Sequence, residues 1–78
     1  MRDINEIQKI FVERLKELIK DADPNKEYNQ SYFSKSINIP YTTINSWMNL
    51  KRTPQIDSLD ILADYFGVTV DYLLGREN

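Results

Sequence analysis

The stretch QSYFSKSINIPYTTINSW, residues 30–47, decides the fold of this chain. Its pattern is typical of two short helices that cross at a steep angle and are joined by a three-residue turn. Ser34 provides the small side chain that such a crossing needs, and Asn38 tolerates the positive φ at which the first helix ends. Pro40 suits the start of the second helix, because a backbone N–H is not needed there.

Each of these two helices also carries an apolar face. Phe33 and Ile37 are four residues apart in the first helix, and Ile44 and Trp47 are three residues apart in the second. We expect all four side chains to be buried, with Trp47 anchoring the core rather than stacking on a ligand.

Apolar residues with helical spacing continue on both sides of this stretch. Asp3 can cap a first helix, and residues 21–29 are expected to form a loop because they collect Asp, Pro and Asn. The apolar face of this first helix is expected to comprise Ile4, Ile7, Phe11, Leu15, Leu18 and Ile19.

A polar turn over residues 49–55 is followed by a fourth helix over about residues 57–66, which Gly67 ends. Its expected buried residues are Leu59, Leu62, Ala63 and Phe66. Thr69 can cap a fifth helix over residues 70–74. The sequence thus predicts an all-α fold of five helices in one domain, residues 1–78.

Composition excludes several classes of function. The 78 residues include neither Cys nor His, which removes thiolate metal sites and the commonest general base. We therefore expect no enzyme activity, no metal, no cofactor and no small-molecule ligand. We also expect neither a membrane span nor a signal peptide, and a cytoplasmic location, which the lack of Cys suits.

Charge is distributed unevenly along this acidic chain. Residues 28–56 contain Lys35, Lys51 and Arg52 and no carboxylate, whereas the whole chain has a formal net charge of −2. A surface that meets DNA must avoid repulsion between carboxylates and phosphates. This carboxylate-free segment is therefore the predicted DNA-binding face.

The chain resembles the Cro/repressor-type helix-turn-helix regulators of bacteria and phages. The resemblance covers nearly the whole chain. It rests on RLKEL at residues 14–18, TINSW at 43–47, KRTP at 51–54 and LDILADYFGVTVDYLLG at 59–75, with Gln30, Phe33, Ser34 and Ile37 between them. It implies a five-helix fold of the lambda-repressor type, with the helix-turn-helix unit over about residues 30–48, and a regulator of transcription, expected to be a repressor, that binds a double-stranded DNA operator as a homodimer.

The resemblance also implies residue roles. The third helix would lie in the major groove and place Tyr41, Thr42, Asn45 and Ser46 against base edges. Phosphates would be met by Gln30, Asn49, Lys51 and Arg52. Apolar residues near the C-terminus would be shared between the core and a second copy: Val68, Val70, Tyr72, Leu73 and Leu74.

The chain departs from the family pattern in the turns. Asn38 and Leu50 stand where glycine is usual, and we expect Asn49 to take the left-handed conformation in place of Leu50. An alternative function also stays open. The same fold can serve as a protein-interaction module, such as an antitoxin or a partner of a regulator, without strong DNA binding.

Overall fold

Helices make up most of the chain in a computed structural model, which describes residues 3–22 and 30–77. They are α1 (Ile4–Ala22), α2 (Gln30–Ile37), α3 (Tyr41–Met48), α4 (Ile56–Phe66) and α5 (Val70–Leu73). All regular secondary structure in these two ranges is helical, which confirms the predicted class.

α1 begins as the sequence predicts and ends later. The Asp3 carboxylate accepts the backbone N–H of Asn5 at 3.1 Å, which satisfies one of the donors left free at a helix start. The helix includes Asp21 and Ala22, which were expected in a loop. Neither residue breaks a helix, and the first residue of that stretch that does so in sequence is Pro24. The remainder of that predicted loop, residues 23–29, lies outside the described residues.

The core lies between α1, the α2–α3 pair and the last two helices. Phe11 meets Trp47 edge to face with ring centroids 5.9 Å apart, and Phe33 stacks on Phe66 at 5.5 Å. Such aromatic pairs add about 0.5–1.5 kcal/mol each to the free energy gained by burying their surface. The expected core residues Phe33, Ile37, Ile44, Trp47 and Leu62 are all buried, whereas Leu59 and Phe66 are half-buried against the core.

Ile4 is an exception to the predicted apolar face of α1. Its side chain is 63% exposed, whereas Phe11, Leu15 and Ile19 on the same face are buried. Ile4 is the first residue of the helix, and the core does not extend that far.

α4 and α5 differ from the predicted bounds by one residue each, since α4 begins at Ile56 and α5 ends at Leu73. Gly67 ends α4 with φ 68°, and a Cβ built there would meet nothing within 4 Å. Backbone conformation, rather than space, is therefore what favours glycine. The Thr69 side chain accepts the N–H of Tyr72 at 3.0 Å, which confirms the predicted cap of α5.

Candidate nucleic-acid interface

The turn between α2 and α3 fixes how the third helix is presented. Asn38 has φ 60°, as predicted for the end of α2. The N–H of Ile39 then donates to the carbonyl of Ser34 at 3.2 Å, and the Ser34 hydroxyl donates back to the carbonyl of Ile39. These two bonds join Ser34 to Ile39 across the turn, so this small residue has a polar role besides its size.

The start of α3 depends on a backbone group. Pro40 precedes the helix with φ −56° and ψ 139°, and its side chain offers no cap. Its carbonyl accepts the N–H groups of Thr43 at 3.0 Å and Ile44 at 3.2 Å. Proline thus replaces the side-chain acceptor of a Ser or Thr with a pre-set backbone angle.

Two buried residues orient α3. Ile44 is completely buried and Trp47 is 2% exposed, so the opposite face of the helix points away from the core. Tyr41, Thr42 and Asn45 are exposed on that opposite face. Their spacing of three and four residues places them side by side.

Ser46 is the fourth predicted base-contact residue, and its surroundings differ from those of the other three. It is only partly exposed, and its hydroxyl donates to the carbonyl of Thr42 at 2.9 Å. Its own carbonyl accepts the N–H of Lys51 at 2.9 Å and that of Arg52 at 3.3 Å. Ser46 therefore holds the following turn onto α3, a role that sequence reasoning missed.

The left-handed residue after α3 is Leu50, with φ 61°, and not Asn49, with φ −93°. The prediction for Asn49 was wrong because its backbone N–H and its side-chain amide both donate to the carbonyl of Asn45, at 3.0 and 2.9 Å. These bonds hold Asn49 close to helical geometry, so the reversal falls on the next residue.

The predicted phosphate contacts lie at two places. Asn49, Lys51 and Arg52 are all exposed in the turn that follows α3. Gln30 is the first residue of α2, where backbone N–H groups are available to an anion, but its side chain lies outside the described residues. The structure thus brings Asn49, Lys51 and Arg52 next to the exposed face of α3.

A second exposed feature was not predicted from the sequence. Ile56, the first residue of α4, is 87% exposed and lines an open groove of mixed character, in which Asp57 and Asp60 lie beside Leu59 and Val70. The sequence gives no signal of this exposure, because Ile56 is three residues before Leu59 and seven before Ala63, which is the spacing of one helix face.

Residues 3–22 and 30–77 lack two other features. No group of three acidic, His or Cys side chains there is arranged to hold a metal ion. In the same residues, none of the helices is both long enough and apolar enough to cross a membrane.

Comparison with known proteins assigns the chain to a family. A model of the helix-turn-helix family matches residues 15–73, and the chain belongs to this family. The resemblance to its Cro/repressor-type regulators is thereby confirmed.

Two relatives are named as uncharacterized HTH-type transcriptional regulators. The one from Rickettsia prowazekii is 29% identical over 68 residues, covering 82% of this chain and 74% of the relative. The one from Rickettsia conorii is also 29% identical over 68 residues, and the match spans 62% of that protein, less than two thirds of its length. No solved structure matches the chain significantly.

Proposed function

We propose that this protein is a sequence-specific regulator of transcription that binds double-stranded DNA and represses by occupying an operator. The observation that carries the proposal is the exposed face of α3, which lies opposite two buried anchors and runs directly into an exposed basic pair, Lys51 and Arg52. The names of the two relatives support the same role.

α3 has suitable dimensions for the major groove. An α-helix with its side chains is about 10–12 Å in diameter, and a B-DNA major groove about 12 Å wide admits it. Asn45 would form two hydrogen bonds to an adenine, and Thr42 would place its methyl group against that of a thymine. Tyr41 and Ser46 would contact neighbouring base edges, Ser46 with its hydroxyl turned away from Thr42.

Phosphates would be bound on both sides of that helix. Lys51 and Arg52 would contact the backbone beyond α3, together with the amide of Asn49. Gln30 would bind a phosphate at the start of α2, where the helix dipole favours an anion. These contacts fix the register of the protein on DNA, while the residues of α3 select the sequence.

Regulation would then follow from occupancy in the cytoplasm, without chemistry at the site. A second copy would bind the other half of a two-fold operator, with the two half-sites about 34 Å apart. Polymerase would be excluded for as long as the complex persists.

Selection of bound duplexes from a random pool tests this proposal. We expect enrichment of a sequence with two related half-sites one helical turn apart. The chain with Thr42→Ala and Asn45→Ala together is the matched control, because both side chains are exposed and the fold should be kept. Enrichment of the same motif by this control would contradict recognition by α3.

One observation favours the alternative, an interaction module without strong DNA binding. Asp57, Asp60 and Asp64 are exposed on α4, which gives this helix an acidic surface. Retention of the chain on random duplexes at low salt separates the two functions. No retention at any protein concentration would exclude the DNA-binding regulator and leave the interaction module.

A further inference from the structure

Leu50 combines an unfavourable backbone conformation with an exposed apolar side chain. Its φ of 61° is sterically unfavourable for a residue with a Cβ, and its side chain is 42% exposed. The other positive-φ residues in the described ranges 3–22 and 30–77 are Asn38, Gly67 and Gly75, which belong to the residue types that tolerate this region. Leucine is therefore the exception among the left-handed positions of these ranges.

Hydrogen bonds at the end of α3 account for the backbone conformation of Leu50. Its N–H donates to the carbonyl of Trp47 at 3.0 Å, and the N–H of Lys51 donates to the carbonyl of Ser46 at 2.9 Å. This pair of bonds is the Schellman motif, in which the left-handed residue is usually glycine. Glycine would make the same bonds with less strain, so the turn itself does not require leucine.

Packing within the molecule does not require leucine either. In the described part of the chain, the apolar side chains half-buried against the core include Met48 and Leu59, on either side of this turn, but not Leu50. The apolar contact that often accompanies a Schellman motif would join Lys51 to Ser46, and both of these are polar. Residues held in an unfavourable backbone region cluster at binding sites, where the side chain has a role outside the fold.

The position of Leu50 connects the two parts of the proposed DNA interface. It directly follows Asn49 and precedes Lys51, and its Cα is at most about 7 Å from that of Arg52. All three of these neighbours are exposed. Because they are proposed to contact phosphates, Leu50 would lie beside the same DNA strand, between the base edges met by α3 and the phosphates.

We propose that Leu50 is a further DNA-contact residue, whose side chain packs on the apolar carbon surface of one DNA strand at the edge of the major groove. This inference rests on the proposed function. Two parts of a strand offer this chemistry there, the methyl group of a thymine and the carbon face of a deoxyribose. The side chain would add apolar burial to the complex that glycine cannot provide.

A direct apolar contact differs from an indirect effect through the basic residues beside it. An apolar contact neutralises no phosphate and releases no counterion, so it does not contribute to the salt dependence of binding. If Leu50 only positioned Lys51 and Arg52, its replacement would lower the slope of log K against log salt. The salt slope therefore separates the two roles.

Three substitutions at one position test the contact. Leu50→Gly removes the side chain, Leu50→Asn is polar but also tolerates the left-handed region, and Leu50→Met keeps an apolar side chain of similar size. Ile61→Ala is the matched control, since Ile61 is an apolar residue of nearly equal exposure, 43%, on α4. Binding would be titrated on a duplex with one selected half-site at several salt concentrations, and circular dichroism would verify that each variant is folded.

We expect Leu50→Gly and Leu50→Asn to weaken binding by about fivefold or more with an unchanged salt slope. Leu50→Met and Ile61→Ala should stay within about twofold of the original chain. Undiminished binding by Leu50→Gly would overturn the contact, as would a lower salt slope or an equal loss in Leu50→Met. An original chain that binds no duplex would overturn the proposed regulator as well, whereas binding that is indifferent to residue 50 would overturn the contact alone.

Deoxyuracil distinguishes the two parts of the strand. It lacks only the methyl group of thymine, so each thymine of the half-site would be replaced in turn. A position where deoxyuracil weakens the original chain but not Leu50→Gly assigns the contact to that methyl group, whereas a thymine recognised by Thr42 would matter to both proteins. If no position behaves in this way while Leu50→Gly still binds more weakly, the contact is with deoxyribose.

Discussion

Asn45 lies exposed in the middle of α3, on the face opposite Ile44 and Trp47. Its removal should therefore affect recognition without affecting the core. We expect Asn45→Ala to cost about 1–3 kcal/mol on the selected duplex and to relax the choice of one base pair. Competition binding against duplexes changed at single positions would measure both effects.

Arg52→Ala is the comparison for Asn45→Ala. Arg52 is exposed in the turn after α3, and a phosphate contact carries no sequence information. This variant should weaken binding to selected and random duplexes by about the same factor. The proposed division between residues that contact bases and residues that contact phosphates would be refuted if the two variants showed the same preference among duplexes.

Leu50 provides a residue-scale test of backbone strain. At φ 61°, a side chain with a Cβ costs about 1–2 kcal/mol relative to glycine. We expect Leu50→Gly to be more stable than Leu50→Ala by about 1 kcal/mol in urea denaturation, because both variants lose the leucine side chain and only alanine keeps the strain.

Gly67→Ala is the converse substitution at a similar backbone angle, φ 68°. A Cβ there meets no atom within 4 Å, so the expected loss of about 1 kcal/mol or more in the free energy of unfolding comes from conformation alone.

For the Leu50 pair, a Leu50→Ala variant at least as stable as Leu50→Gly would show that the turn relaxes away from the left-handed conformation.

The packing of α2 against α3 depends on the size and on the hydroxyl group of Ser34. Ser34→Leu should overpack the helix crossing and lower the free energy of unfolding by about 1–3 kcal/mol. Ser34→Ala keeps the small size and removes only the hydroxyl that donates to Ile39, so it should cost about 1 kcal/mol. Thermal denaturation of both variants would separate size from hydrogen bonding, and equal losses would show that size has no separate effect.

Helix identity could be predicted because it follows from local spacing. The positions of Phe33, Ile37, Ile44 and Trp47 repeat at helical intervals, and all four are buried. The positive φ of Asn38 was also predictable, since few residues tolerate it and Asn38 stood at a helix end.

The turn after α3 could not be predicted in the same way. Leucine has no intrinsic preference for the left-handed region, and its conformation follows from bonds that Asn49 makes to Asn45. The exposure of Ile4 and Ile56 was likewise hidden, because an apolar residue at the end of a helix has the same local pattern whether or not the core reaches it. The α3 face was predicted from local spacing, whereas the exposure of Ile56 follows only from the three-dimensional arrangement.

The net charge of the whole molecule hides the uneven distribution of its charged residues. The formal charge is −2, yet residues 28–56 hold three basic residues and no acidic one. If two copies together neutralise six or more phosphates, binding to the selected duplex should weaken about 10³-fold or more between 50 and 200 mM salt.

Lys51→Ala tests the source of this salt dependence. The variant should lower the slope of log K against log salt by about one unit for each copy bound. Lys16→Ala is the control, because Lys16 is exposed on α1, far in sequence from the turn after α3. An equal change of slope in both variants would mean that general charge, rather than the proposed phosphate contacts, governs binding.

The carbonyl of Ser46, in α3, accepts the backbone N–H groups of both Lys51 and Arg52. Because main-chain groups make these bonds, exchanging the exposed side chains of Thr42 or Asn45 leaves them in place. Substitutions at such exposed positions change the free energy of unfolding by only about 0.5 kcal/mol. Under the proposed mode of DNA binding, the protein is therefore a favourable starting point for directed evolution. New base preferences would be selected at the exposed positions of α3, while the turn that carries the proposed phosphate contacts keeps its place.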